Sequence, residues 1–189
     1  MASGRSELTP VKLIVAGGFG VGKTTFVASL SDIPPLTTEA AMTTLASEID
    51  ERGEVVTKTS TTVAMDFGKV IIDTTLAVYL FGTPGQDRFG FMWNDLIDGS
   101  LGAVVLIDSR RLTDCYPALD YFETKGVPFV AAVNCFDGRQ FHDLPAIREA
   151  LSVSDSVPVV TTDARLRAST KLTVVSLLEH IVQLAAARV

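Results

Sequence analysis

The sequence predicts an α/β domain: a mainly parallel sheet flanked by helices, three layers in all. Short apolar runs of strand length alternate with helix-like stretches, which is the signature of such a sheet. A glycine-rich turn joins the first apolar run to the first helix-like stretch. The C-terminal stretch Lys171–Arg188 is mostly apolar. Its polar residues Thr173, Ser176, His180 and Gln183 recur every three or four positions, as in an amphipathic helix.

Residues 1–9 read as a flexible lead-in to a single domain over 10–189. Val11–Ala16 is an apolar run bounded by glycines and predicts a buried strand. Lys23–Leu30 predicts a short helix, closed off by Pro34-Pro35 because tandem prolines cannot continue it. Residues 36–62 are rich in Thr, Ser and Glu with weak periodicity, and read as a long functional connection. Thr62–Asp73 and Leu76–Phe81 predict a strand pair turning near Asp73-Thr74-Thr75. Residues 84–99 follow as a loop and short helix. Gly102–Asp108 is another buried strand, residues 113–125 a helix, Val127–Asn134 a strand, Leu144–Ser152 a helix and Val157–Val160 a last short strand.

With 189 residues the chain has the length of one domain with a sizeable core. Hydrophobic residues at 47% and charged ones at 20% describe a globular protein, not a disordered one. Net charge is −6 and no basic run stands out, which argues against a nucleic-acid partner and against unaided adhesion to anionic lipid. The two cysteines, Cys115 and Cys135, do not make a disulfide framework and read as buried free thiols. Met1–Glu7 lacks the apolar core of a signal peptide, residue 2 does not fit myristoylation, and the last residues do not form a prenylation box. The expectation is a cytoplasmic protein without an intrinsic membrane anchor, carried to a membrane only by partners.

Gly17-Gly18-Phe19-Gly20-Val21-Gly22-Lys23-Thr24 fits G-x-x-x-x-G-K-[ST] at every fixed position. A strand precedes it and a helix follows, as a phosphate-binding loop requires. Glycines let successive N–H groups turn inward toward an anion, and the helix N-terminus adds the positive end of its dipole. Lys23 supplies a mobile charge for β- and γ-phosphates, and the Thr24 hydroxyl is a Mg²⁺ ligand. Thr25 follows on the same helix start. A dinucleotide loop of the form G-x-G-x-x-G does not fit, because the window opening at Gly18 ends on Lys23.

Leu80-Phe81-Gly82-Thr83-Pro84-Gly85-Gln86-Asp87-Arg88-Phe89 resembles the D-x-x-G-Q segment of Ras-like small GTPases. Val133-Asn134-Cys135-Phe136-Asp137 resembles their N-K-x-D base-reading motif, again after a strand. Thr162-Asp163-Ala164-Arg165 falls where they carry a further base loop. Together these span residues 11 to 165 in order. The stretches Thr61–Gly68 and Gly82–Trp93 further resemble the bacterial MglA-like branch, and within it the GTPase-like proteins of actinomycete conservon operons.

This resemblance implies a P-loop, Ras-like fold binding GTP or GDP with Mg²⁺ and hydrolysing GTP slowly. It assigns γ-phosphate contact to Gly85, orientation of the attacking water to Gln86 and loop bracing to Asn134. Guanine N1–H and N2–H₂ would go to Asp137, and guanine O6 to the Ala164 N–H. It places the switch threonine that completes the metal shell at Thr62, with Thr61 the alternative. A plain edge strand with good β-propensity explains the same Thr-rich stretch. It also implies a Roadblock/LC7-domain regulator and a sensor-kinase-like protein as partners.

Three positions depart from the pattern. Gly82 stands where a metal-holding Asp is expected. Asp66, Asp73 and Asp108 are the substitutes considered, with Asp108 favoured because it ends a strand. Cys135 replaces the Lys of N-K-x-D, which weakens binding and leaves Asp137 as the guanine reader. No arginine adjoins Thr62, and Arg88 reads as a solvated loop charge, so slow turnover raised by a partner is expected. The departures also motivate a rival reading, a nucleotide-bound or ATP-binding scaffold with negligible hydrolysis. His142 and His180 show no metal-ligand spacing with cysteine. Trp93, in a segment crowded by Phe89, Phe91 and Met92, reads as a partner-facing anchor, with packing as the alternative.

Overall fold

A computed structural model describes residues 8–34, 36–43, 60–84 and 93–187; along 37–43 and 60–64 only the backbone is described. The strands are β1 (Thr9–Ala16), β2 (Leu36–Thr43), β3 (Ser60–Ile71), β4 (Leu76–Gly82), β5 (Gly102–Ile107), β6 (Phe129–Asn134) and β7 (Val159–Thr162). They form one seven-stranded sheet in the order β2-β3-β4-β1-β5-β6-β7. β4, β1, β5, β6 and β7 run parallel to one another, whereas β2 and β3 are antiparallel to their neighbours. The mainly parallel α/β architecture read from the sequence is the one observed.

Side-chain alternation along the central strands builds two cores. Leu13, Val15, Leu80, Val104 and Leu106 point to one face, against Phe26 and Val27 of α1 (Lys23–Leu30) and Val174 and Leu177 of α5 (Arg167–Ala186). Ile14, Ala16, Val105 and Ile107 point to the other. There they meet Leu119 and Phe122 of α3 (Tyr116–Lys125) and Ile147 of α4 (Leu144–Leu151). Every residue of β5 and β6 is buried, which is why those segments read as unbroken apolar runs. Parallel strands place all their C-terminal ends at one edge, where the loops after β1, β5, β6 and β7 gather.

Three expectations change. Residues 36–62 are not one long connection: β2 pairs antiparallel with β3, Leu36 opposite Phe67 and Thr43 opposite Ser60, forming an edge ribbon. Thr37, Thr38 and Thr43 suit a pleated surface better than a loop.

On α5 the polar set is split. Thr173 and His180 are buried, while Leu172 and Val182 are exposed. The hydroxyls of Thr170 and Thr173 donate to carbonyls one turn back, at Arg167 (3.1 Å) and Ser169 (3.1 Å). With the hydroxyl satisfied on its own helix, a threonine packs as an apolar residue.

Trp93 opens α2 (Trp93–Ile97) and packs edge-on to Tyr121 (5.0 Å between ring centroids) and stacked with Phe122 (6.2 Å). This is the packing role, not a partner-facing anchor. The two thiols are free, Cys115 buried and Cys135 half-buried. No described helix is long and apolar enough to cross a membrane.

Candidate functional site

Residues 17–22 turn the chain from β1 into α1. Gly22 has φ 105°, and a Cβ there would lie 2.8 Å from the Asn134 amide nitrogen, so only glycine lets the two loops touch. Among the described residues no side chain caps the start of α1, which leaves its N-terminal amides for an anion.

Lys23 folds back, with Nζ donating to the carbonyls of Gly17 (2.8 Å) and Gly18 (2.8 Å). Burial pushes its ammonium down to about 8, and the Asp66 carboxylate pulls partly the other way. An ammonium this poorly solvated gains strongly from an incoming phosphate.

Beside it the Thr24 hydroxyl donates to Asp66 Oδ2 at 2.5 Å. Asp66 sits on β3 directly opposite Gly82 of β4. A Cβ on Gly82 would lie 3.1 Å from Asp66 Cβ and 3.2 Å from its Oδ2. The position expected to carry a carboxylate is therefore empty of side chain, and the space is taken by a carboxylate from the adjacent strand.

This corrects the preference for Asp108. Asp108 is buried and forked by Arg110 (Nε to Oδ1 2.8 Å, Nη2 to Oδ2 2.8 Å) with Arg111 alongside at 3.4 Å. The Arg110 hydrogen bonds hold its carboxyl below the usual carboxylate range and leave it committed to structure.

Thr62 is not brought to this place. It lies within β3 opposite Ala41, four residues before Asp66, which separates the two by about 13 Å of strand. Its backbone is plain strand, as in the alternative reading, but in β3, one strand in from the sheet edge, and Thr61 lies one residue farther on. Gly85, Gln86 and Arg88 fall outside the described residues.

The base side is built by Asn134, the last residue of β6, and by the loop after β7. Buried Asn134 donates from Nδ2 to the Val21 carbonyl (2.9 Å) and accepts the Ala164 N–H at Oδ1 (3.1 Å). It thus cross-braces the phosphate loop and the β7 loop. The Ala164 N–H assigned to guanine O6 is the same one engaged by Asn134. The Cys135 N–H adds a second tie, to the Thr162 carbonyl at 2.7 Å.

Asp137 follows in a left-handed conformation (φ 54°, ψ 31°). The Arg110 guanidinium lies 4.1 Å from the Phe136 ring centroid, and Arg165 reaches Asp137 at 2.9 Å. A cleft of about 180 Å³ opens between Gly20, Gly22 and Thr25 on one side and Asn134, Asp137 and Ala164 on the other.

The structure therefore gathers Gly20, Gly22, Thr25, Asn134, Asp137 and Ala164 around one cleft, with the rest of residues 17–24 on the same turn from β1 into α1. Two contributors were missed, and Asp66 was considered but passed over for Asp108. Asp66 was legible from the hairpin turn, whose register sets it against Gly82. Arg165 and Arg111, which donates to the Phe19 carbonyl at 3.2 Å, had no signal beyond being exposed basic residues.

The pair Thr24–Asp66 fits a hard divalent cation: a hydroxyl that donates its proton to a carboxylate turns its lone pairs elsewhere, as oxygen ligands of magnesium must. Among the described residues no cluster of three or more His, Cys, Asp or Glu forms an all-protein metal cage.

Solved structures share the fold. The G domain of FeoB from Methanococcus jannaschii superposes with a TM-score of 0.59 at 15% identity, covering 92% of this chain and 99% of that one. The cytosolic domain of the T. maritima FeoB iron transporter gives 0.62 in its apo form and 0.63 in a GDP form, each at 16% identity and 92% of this chain. This chain spans 64% of the length of those T. maritima chains. The fold is that of a P-loop G domain. An uncharacterized protein of Methanocaldococcus jannaschii is 33% identical over 129 residues, 67% of this chain and 71% of its own length. The model of a family described as conserved hypothetical ATP binding proteins matches residues 15–184, and the chain belongs to that family.

Proposed function

We propose that the protein is a magnesium-dependent guanine-nucleotide switch that hydrolyses GTP slowly. The observation that carries this reading is the Thr24–Asp66 contact across the Gly82 gap, which rebuilds the missing carboxylate beside the phosphate loop. Loop amides and the α1 N-terminus receive the phosphates. Lys23 leaves the Gly17 and Gly18 carbonyls for the β- and γ-oxygens, where its charge meets the charge that develops on phosphoryl transfer. Thr24 would be the direct ligand of Mg²⁺, with Asp66 orienting its hydroxyl, and the ion would supply charge that neutralises the phosphates.

Gln86 keeps the water-orienting role that the resemblance gives it. Attack of that water at the γ-phosphorus breaks the bond to the bridging oxygen and releases GDP and phosphate. Slow turnover follows from a departure from that pattern, because the sequence places no arginine beside Thr62. The edge ribbon and the segment after β4 are the parts that read the γ-phosphate, and a Roadblock/LC7-type regulator with a sensor-kinase-like protein is the proposed audience.

A second reading, an ATP-binding or non-hydrolysing scaffold, is favoured by one observation. The Ala164 N–H that would read guanine O6 is already engaged by Asn134.

Calorimetric titration with GTP, GDP and ATP, with and without Mg²⁺, separates the two, followed by single-turnover GTP hydrolysis with and without a Roadblock-type protein. Guanine preference and phosphate release that Gln86→Leu suppresses support the switch. Equal or tighter ATP binding overturns the base assignment, and persistent absence of phosphate release leaves the scaffold.

A further inference from the structure

Asp137 is an awkward residue to aim with. Its backbone is left-handed, a region that side-chain-bearing residues rarely adopt, and Gly138 after it is left-handed too (φ 70°). Its side chain is 83% exposed, so packing does not hold it. A carboxylate in this position turns freely about its last bond unless something grips an oxygen.

Arg165 supplies that grip. Its Nη1 donates to Asp137 Oδ1 at 2.9 Å. The guanidinium is itself immobilised. Nε and Nη2 fork onto the two oxygens of Asp163 at 3.0 and 2.8 Å, and the Arg165 N–H adds a third bond to Asp163 Oδ1 at 3.0 Å. The Asp163 carboxylate is only 12% exposed, and its N–H donates to the Ser169 hydroxyl of α5 at 2.8 Å. Because the guanidinium is planar, a fork on one edge dictates where the remaining nitrogen points. Both Arg165 and Asp137 line the base-side cleft.

We propose that Arg165 is a positioning residue that fixes the plane of the Asp137 carboxylate and thereby sets the preference for guanine over bases lacking a 2-amino group. This rests on the guanine reading of the site. Guanine presents two adjacent donors, N1–H and N2–H₂, and both are met only by a carboxylate whose two oxygens lie in the plane of the base. Hypoxanthine presents N1–H alone and tolerates a turned carboxylate. Arg165 occupies one lone pair of Oδ1 and leaves the other, with Oδ2, for the base. Its positive charge also attracts phosphates, but that effect is the same for every nucleoside diphosphate. The ratio of GDP to IDP affinity therefore reports the positioning alone.

The test is calorimetric binding of GDP, IDP and ADP to the parent, Arg165→Met, Arg165→Lys and Asp163→Asn, each checked for folding by its thermal melt. Arg165→Met is expected to weaken GDP by up to about fivefold, the upper end for an exposed charged pair, and IDP by less. The GDP:IDP ratio falls. Arg165→Lys keeps the charge but has no fork, so the ratio stays low. Asp163→Asn lowers the ratio from the other end of the bridge. In an Asp137→Ala background, Arg165→Met leaves the ratio where Asp137→Ala put it.

An unchanged ratio in Arg165→Met, or full recovery with lysine, overturns the proposal while leaving the guanine reading intact. A parent protein that prefers ADP, or binds no guanine nucleotide, overturns both.

Discussion

Replacing Asp66 by Asn removes the charge that receives the Thr24 hydroxyl and changes almost nothing else in shape. The bond weakened is a 2.5 Å hydroxyl-to-carboxylate contact, because the Asn amide oxygen accepts without the charge. Hydrogen bonds to charged groups contribute roughly 1.5–3 kcal/mol, and Asp66 is half-buried, so the lower end applies. That is about tenfold in affinity, and the loss of a residue that orients a metal ligand falls in the range of about 10–100-fold.

The quantity to measure is the factor by which Mg²⁺ tightens GDP, from calorimetry in excess Mg²⁺ and in chelator. In Asp66→Asn this factor should drop about tenfold. Affinity without metal should stay level or tighten, because a negative charge beside the phosphates is gone. Asp66→Gly combined with Gly82→Asp moves the carboxylate to β4 and should recover part of the factor. Gly82→Asp alone sets a Cβ 3.2 Å from Asp66 Oδ2, crowds a second carboxylate beside the first and should lower the melting temperature. The reasoning fails if Asp66→Asn keeps the full Mg²⁺ factor, or if Asp108→Asn abolishes it instead.

Lys23 titrates near 8 when no phosphate is bound, well below an unfolded lysine, so the unfolded chain holds the extra proton between pH 8 and about 10.5 and stability of the free protein rises with pH across that window. Bound phosphate restores the ammonium, so GDP binding should take up protons above pH 8 and weaken as pH climbs. Calorimetry in buffers of different ionisation enthalpy measures this uptake, which Lys23→Met should abolish. Cys115, buried and pushed up to about 12, should resist iodoacetamide at pH 8 until the protein unfolds, so native alkylation mapped by mass spectrometry should fall on Cys135. Asp143 caps α4 by accepting the Ala146 N–H at 3.2 Å, and Asp143→Ala should lower stability by about 1 kcal/mol in urea melts without altering GDP affinity.

The phosphate loop was legible because its chemistry is local: a strand, glycines, Lys23 and Thr24 in one run of sequence. Asp66 was harder, because its role depends on which residue it faces across a hairpin. The turn at Asp73–Thr75 held that information, while proximity to a strand end pointed to Asp108. The buried side of α5 was misleading for a different reason. Polarity along a helix forecasts exposure only when a polar side chain needs water, and the hydroxyls of Thr170 and Thr173 are met by their own backbone. Arg165 was invisible because a bridge between two loops, from Asp163 to Asp137, leaves no periodicity to read.

Housing the carboxylate on β3 has a mechanical consequence. β4 is clamped between β3 and β1, whereas β3 borders the edge strand β2. A one-residue slide of β3 would turn Asp66 to the opposite side of the sheet. A two-residue slide would keep its side but carry it about 7 Å from Thr24. If Asp66 orients the metal ligand as proposed, grip on the ion and alignment of the outer ribbon become a single coordinate. In the proposed switch, whatever pulled on that ribbon would tug the cation without touching the nucleotide.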